Sequence, residues 1–169
     1  MWSLEISHAV IAVMKFADKQ AALETADVLV IDDDPGDIVL TRQVLKHGGT
    51  FGQILSASSA DEALALFRGY LRQPDGHAWT RLPAVVLLDI WMPVKTGHDF
   101  LEEFAELRDN ELLGGVVVAM LSSSSADHDR MKSSRFSFVI DYLVKPLGVA
   151  DVDRFLSGIA TRRGVRHQS

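Results

Sequence analysis

The sequence contains no cysteine among its 169 residues, which excludes disulfide bonds and thiolate metal sites. It also lacks the run of ~18 apolar residues that a membrane-spanning helix needs. Its 17 basic and 23 acidic residues give a formal net charge of −6, and the basic residues form no stripe typical of nucleic-acid binding. We therefore expect a cytoplasmic protein without a nucleic-acid or membrane partner.

Five short apolar segments alternate with amphipathic segments along most of the chain. The predicted strands are 28–31, 53–57, 84–88, 116–121 and 139–144. The predicted helices between and after them are 34–47, 60–71, 100–107, 127–135 and 152–159. Buried strands that alternate with helices predict a parallel α/β sheet with helices on both faces and right-handed crossovers.

Local signals mark the starts of two helices and the extent of the domain. Asp34 and Pro35 suit the N-cap and first helical position, and Ser59 with Glu62 has the spacing of a capping box. Apolar residues at helical spacing predict a further helix over 7–25. We expect an N-terminal helical extension over 1–26, a single domain over 27–161, and a frayed basic tail over 162–169.

Polar residues follow four of the five predicted strands at their C-terminal ends. Asp32 and Asp33 follow the first strand, Asp89 the third, Ser122 the fourth and Lys145 the fifth. Open α/β sheets bind ligands at this edge of the sheet. Because several carboxylates at one edge repel each other, the pattern predicts a divalent cation there.

These residues, in this order on five strands, resemble the receiver domain of two-component response regulators. The closest resemblance is to the stand-alone receivers that are paired with bacterial phytochrome kinases, on the segment Asp34-Pro35-Gly36-Asp37 and the long loop before the third strand. The resemblance implies a flavodoxin-like, doubly wound sheet with strand order 2-1-3-4-5. It also implies phosphoryl uptake from a sensor histidine kinase.

The resemblance assigns the acidic residues to phosphorylation and metal binding. Asp89 is then the phosphoacceptor, and Asp33 and Asp89 are direct Mg²⁺ ligands. Asp32 is implied to hold a coordinated water, and the backbone carbonyl of Trp91 to supply another oxygen. Mg²⁺ suits such a site because it prefers octahedral oxygen ligands and binds phosphate with few carboxylates.

The resemblance assigns the other polar residues to the phosphoryl group and the switch. Lys145 is implied to pair with the phosphoryl oxygens and Ser122 to hydrogen-bond one of them. Tyr142 matches the aromatic switch position, and Lys145-Pro146 is expected to be a cis peptide bond. Gly97 is expected to occupy a position that needs unusual backbone angles.

Self-association is predicted at one of two places. Phe136, Phe138 and Ile140 either pack in the core or form an apolar patch on the face made by the predicted fourth helix, fifth strand and last helix. The N-terminal helix is the second candidate. Either element would make the protein a homodimer.

Three functions remain open. The first is a phosphorylation switch without an output domain, because few residues follow the last helix, so that the signal passes by partner contact or by transfer to a histidine phosphotransfer protein. The second is a phosphorylation-independent scaffold. The third is an enzyme of the haloacid-dehalogenase class, which the segment Asp89-Ile90-Trp91 disfavours because it has no second acid. We expect no enzymatic turnover.

Overall fold

The computed structural model describes residues 26–48, 51–73, 82–123 and 133–165. The strands in these ranges are β1 (Val28–Ile31), β2 (Ile54–Ala57), β3 (Val85–Asp89), β4 (Val117–Ser122) and β5 (Val139–Val144). The α-helices in the same ranges are α1 (Pro35–Gly48), α2 (Ala60–Arg72), α3 (Gly97–Leu107) and α4 (Val149–Val165). A short 3-10 helix, Glu111–Leu113, precedes β4. The predicted strands are confirmed to within one residue at each end.

The five strands form one parallel sheet in the order β2-β1-β3-β4-β5, which confirms the predicted fold class. The inner strand β1 is buried along its whole length, and its side chains alternate between two core clusters. Leu29 and Ile31 join one cluster, and Val28 and Val30 join the other. Because the sheet is covered on both faces, β1 needs apolar residues at every position.

The α2 helix begins as predicted, but its capping differs in one bond. The hydroxyl of Ser59 accepts a hydrogen bond from the Glu62 backbone N–H at 3.1 Å. The Glu62 carboxylate accepts from the backbone N–H and hydroxyl of Ser58, each at 2.7 Å, rather than from the Ser59 N–H. The predicted reciprocal capping box is therefore wrong in its second half, because Ser58 offers the carboxylate two donors instead of one.

The last helix is longer than the sequence pattern predicts. Val152, Phe155 and Ile159 are buried against the sheet, as their spacing indicates. The helix continues through Val165, so the predicted tail begins with four helical residues. Arginine has a good helix propensity, and no proline follows to end the helix earlier.

The aromatic segment before β5 contributes to the core. Phe138 is buried, meets the Phe104 ring edge-on at 5.7 Å, and lies 4.6 Å below the guanidinium of Arg108. Phe136 and Ile140 are half-buried and pack against the two core clusters. Core packing is thus the correct alternative for Phe138, which is not available as part of an exposed dimer patch.

Three predicted segments lie outside the described residues. They are the N-terminal helix over 7–25, the polar loop around 74–81, and residues 127–132 of the predicted fourth helix. In the described part of the chain, no helix is both long enough and apolar enough to cross a bilayer.

Candidate phosphoacceptor and metal site

The strand register brings the predicted site residues to one edge of the sheet. Ile31 of β1 is level with Leu88 of β3, so that the next residues, Asp32 and Asp89, lie side by side. The same edge continues across β4 and β5, where Ser122 is level with Val144 and Lys145 follows directly. Parallel pairing therefore gathers residues that are more than a hundred positions apart in sequence.

Three carboxylates form a compact acidic cluster at this edge. Asp32, Asp33 and Asp89 each offer one oxygen, and these oxygens lie within 4.8 Å of one another. Asp32 is fully buried, Asp89 is 6% exposed, and Asp33 is exposed. Hard oxygen ligands in this number, open to solvent on one side, fit Mg²⁺, which keeps several waters when it binds proteins.

Burial and charge act together on Asp89. Burial raises the pKa of its carboxyl, and the charge of Asp32 raises it further. The ammonium of Lys145 and the Trp91 backbone N–H, 3.4 Å from Asp89 Oδ1, act in the opposite direction without cancelling the increase. Three carboxylates lie beside one ammonium, so the site has an excess of acidic groups that a bound cation would neutralise.

Lys145 lies beside the acidic cluster and also contacts Asp37. Its Nζ is 2.6 Å from Asp32 Oδ2, 2.9 Å from Asp37 Oδ2 and 3.4 Å from Asp89 Oδ1, and its side chain is 14% exposed. Although burial alone would lower the pKa of Lys145, its bonds to Asp32 and Asp37 and the charge of Asp89 raise it well above the usual value. The lysine is therefore a fixed positive charge beside Asp89.

The backbone around Lys145 explains this placement. Its N–H donates to the Ser122 carbonyl at 2.8 Å, which ties the end of β5 to the end of β4. The Lys145-Pro146 peptide bond is cis, as predicted. The sequence pattern predicts the place of Lys145 at the sheet edge but not its contact with Asp37.

Ser122 and Trp91 lie where the sequence places them, next to Asp89. Ser122 ends β4 and is buried, and its backbone neighbours Lys145. The Trp91 side chain is 60% exposed and points away from the core. The roles of the Ser122 hydroxyl and the Trp91 carbonyl remain predictions.

Tyr142 of β5 is half-buried and packs against the core cluster that contains Phe138. Its hydroxyl forms a hydrogen bond with the hydroxyl of Ser133, which is itself buried. The hydroxyl of Tyr142 is therefore bonded to Ser133, the first described residue of the segment that precedes β5. Its predicted coupling to Ser122 stays a prediction.

Gly97 is needed for a reason other than the predicted one. No glycine in the described ranges has a positive φ, so unusual backbone angles do not explain it. A Cβ at Gly97 would instead lie 3.1 Å from Ile90 Cα and closer still to the Asp89 carbonyl oxygen. The first turn of α3 thus packs directly on the backbone of the candidate phosphoacceptor. The positive φ of this loop, 69°, belongs to Val94.

Comparisons with known proteins identify the family of the chain. The sequence profile of the response regulator receiver domain family matches residues 28–156. The probable methanogenesis regulatory protein FilR2 of Methanothrix harundinacea is 29% identical over 145 residues, which cover 84% of this chain and 88% of that protein.

Solved structures share the fold. A two-component response regulator from Cytophaga hutchinsonii has a TM-score of 0.69 at 23% identity and covers 81% of this chain and 98% of its own. The bacteriophytochrome response regulator AtBRR has a TM-score of 0.62 at 26% identity, with 80% of this chain and 92% of its own covered.

The parallel five-stranded sheet with acids and a lysine at its carboxyl edge defines a receiver-like signalling fold. The family profile makes the assignment specific: the chain belongs to the response regulator receiver domain family of two-component systems. Receiver domains accept phosphoryl groups from histidine kinases, bind Mg²⁺ at a cluster of acidic residues, and are generally signalling proteins rather than enzymes.

Proposed function

We propose that Asp89 accepts a phosphoryl group from a phosphohistidine of a sensor histidine kinase. The observation that carries the proposal is the position of its carboxylate, which is buried, grouped with Asp32 and Asp33 within 4.8 Å, and 3.4 Å from the Lys145 ammonium. A carboxylate with a neighbouring cation site and a fixed ammonium has what phosphoryl transfer requires, because catalysis there rests on positioning and charge stabilisation.

In the proposed reaction, an Asp89 oxygen forms a bond to phosphorus as the phosphorus–nitrogen bond breaks. The electron pair of that bond returns to the imidazole nitrogen of the kinase histidine, which takes up a proton. Negative charge spreads over the three phosphoryl oxygens, and the Lys145 ammonium and Ser122 hydroxyl would stabilise it.

Mg²⁺ would be held by Asp33 and Asp89 directly and by Asp32 through water, with the Trp91 carbonyl as a further ligand. The ion would neutralise charge on the phosphoryl oxygens and on the acidic cluster. This part of the proposal is supported by the close grouping of the three carboxylates.

Phosphorylation would act as a switch. It adds about −1.5 to −2 charges to the site. Lys145 and Ser122 would move toward the new group, and Tyr142 would follow Ser122 inward from its present contact with Ser133. The signal would pass by contact with a partner or by transfer to a histidine phosphotransfer protein.

The setting of this switch is also proposed. Similarity to the bacteriophytochrome response regulator AtBRR supports a bacteriophytochrome as the sensor histidine kinase. We also propose that the protein acts in the cytoplasm. We propose that residues 27–161 form the receiver domain, with an N-terminal helical extension over 1–26 and a C-terminal tail over 162–169. A homodimer remains part of the proposal, with the N-terminal helix as its candidate interface.

Intact-mass spectrometry after incubation with phosphoramidate and Mg²⁺ tests the proposal. We expect the wild-type protein to gain one phosphoryl group and the Asp89→Asn variant to gain none. Asp61→Asn is the matched control, because it removes a first-turn carboxylate of α2 that pairs with Lys95 instead of Lys145. Wild-type protein that takes up no phosphoryl group from this donor or from a candidate kinase would contradict the proposal and favour the scaffold.

A further inference from the structure

Asp37 is a fourth carboxylate at the site. It lies in the first turn of α1, and its Oδ2 accepts a hydrogen bond from Lys145 Nζ at 2.9 Å. The backbone N–H of Asp37 donates to Asp34 Oδ1 at 3.2 Å, and that oxygen also accepts from Gly36 at 2.7 Å. The start of the helix is thereby fixed, so the Asp37 carboxylate stays on one side of the ammonium.

The ammonium of Lys145 has three N–H donors. Its two short contacts go to Asp32 at 2.6 Å and Asp37 at 2.9 Å, while Asp89 Oδ1 is at 3.4 Å, beyond ordinary hydrogen-bond length. In the unphosphorylated protein, the short bonds therefore hold the ammonium on two acids other than Asp89. To bond a phosphoryl group on Asp89, the ammonium would shift toward it, and both short bonds oppose that shift.

The bond to Asp37 is the easier of the two to break. The Asp32 side chain is fully buried, so an unpaired charge there would be costly, whereas the Asp37 side chain is 41% exposed and can be solvated by water. Asp32 also sits in the carboxylate cluster that would hold the cation. Asp37 is outside that cluster, so releasing it leaves the metal ligands in place.

We propose that Asp37 holds Lys145 in the unphosphorylated state and competes with the phosphoryl group for its ammonium. This inference rests on the proposed function of Asp89. Asp37 is accordingly a positioning residue that raises the barrier to phosphorylation and favours the resting arrangement. Its carboxylate has the same partner as the incoming group but stays on helix α1 and cannot follow the lysine.

The rate of phosphorylation by phosphoramidate with Mg²⁺ tests the competition. We expect Asp37→Asn to be phosphorylated roughly three- to fivefold faster than wild type, the size of one partly exposed ion pair. Asp37→Glu keeps a carboxylate and should remain near the wild-type rate. Asp61→Asn should also remain near it, because its carboxylate contacts Lys95 at 2.6 Å.

One comparison separates direct competition from a general charge effect. In a Lys145→Gln background, the additional Asp37→Asn change should no longer alter the rate, since the coupling passes through the ammonium. A gain that survives in the Lys145→Gln background would overturn the inference.

The Lys145 side-chain amine resonance provides a readout without any phosphoryl donor. In protein labelled with ¹⁵N-lysine and assigned with Lys145→Arg, this resonance should shift in Asp37→Asn and stay unchanged in Asp61→Asn. An unchanged resonance in Asp37→Asn would mean that the ion pair is absent. If wild type is phosphorylated and Asp37→Asn is no faster, only this inference fails. If wild type is not phosphorylated at all, the proposed function fails with it.

Discussion

Gly97 shows how one missing side chain supports the site. Its Cα packs against the backbone of Asp89 and Ile90, and its N–H donates to the Ile90 carbonyl at 2.9 Å. A methyl group there would meet backbone atoms, which cannot rotate away as a flexible side chain can. The position of the Asp89 carboxylate therefore depends on a residue that is not itself a proposed ligand of the phosphoryl group or of Mg²⁺.

We expect Gly97→Ala to displace the Asp89 backbone and to slow phosphorylation by phosphoramidate by about tenfold to a hundredfold, the cost of a misplaced reacting group. Overpacking should also lower the free energy of unfolding by about 1–3 kcal/mol. Stopped time courses of intact mass and urea unfolding measure the two effects. A wild-type phosphorylation rate in Gly97→Ala would show that the backbone contact is unimportant.

Gly158→Ala is the matched control for that substitution. Gly158 lies within α4, and a Cβ there would meet nothing within 4 Å. Because alanine is the better helix former, this variant should gain up to about 1 kcal/mol in stability and keep its phosphorylation rate.

The sequence was sufficient to predict which acids and which lysine gather at the sheet edge, because each follows an apolar strand and parallel strands share a carboxyl edge. It was not sufficient to predict the contact of Asp37 with Lys145 or the close packing of Gly97 on the Asp89 backbone. An acid in a first helical turn is already explained by the helix dipole, so nothing marked Asp37 as the partner of a lysine 108 residues away. The close approach at Gly97 appears only when α3 is placed on β3.

At the scale of elements, the start of α3 fixes the loop that follows Asp89. The Thr96 hydroxyl accepts from the Asp99 N–H, and the Asp99 carboxylate accepts from the Thr96 N–H and hydroxyl at 2.8 and 2.7 Å. Lys95, next in the loop, forms ion pairs with Asp61 of α2 and Glu103 of α3. These bonds hold the loop between two helices.

We expect Thr96→Ala to lower the free energy of unfolding by about 1 kcal/mol near neutral pH. Hydrogen bonds from the Thr96 hydroxyl and N–H hold the pKa of Asp99 below its usual value. The stability from the ionised Asp99 is therefore present above its unfolded pKa of about 3.9 and is lost as the pH falls through its lower folded value.

Urea unfolding of wild type and Thr96→Ala at several pH values measures this effect. The difference between them should narrow below about pH 4, where Asp99 becomes protonated. Thr96→Ser keeps the hydroxyl and should behave like wild type. A difference that is the same at pH 7 and pH 3 would contradict the role of the Asp99 carboxylate.

The boundaries of elements were harder to predict than their existence. Apolar runs located all five strands, but the ends of three of them moved by one residue, since pairing with a neighbour decides where a strand stops. The α4 helix shows the same limit: its buried face predicts its centre, whereas its last turn is mostly polar and has no residue that marks an end.

For the whole molecule, the sheet has two edges, and β5 forms one of them. The Lys145 N–H bonds to β4, and residues alternate along a strand. The N–H groups of Asp141 and Leu143 therefore face β4, while that of Tyr142 faces the side of β5 that pairs with no strand in the described residues. Asp141 Oδ1 accepts that N–H at 2.8 Å. A polar side chain thereby occupies a donor that another strand could use.

We expect Asp141→Ala to increase self-association through the β5 edge, because the Tyr142 N–H loses the acceptor that the Asp141 carboxylate provides. One hydrogen bond of about 1 kcal/mol would strengthen association about fivefold over wild type. Sedimentation velocity across a range of protein concentrations measures it. Asp141→Asn is the decisive control, since it removes the same charge but keeps the acceptor oxygen and should match wild type. If Asn and Ala variants associate equally, charge rather than the edge bond limits association, and any homodimer must be explained by another surface.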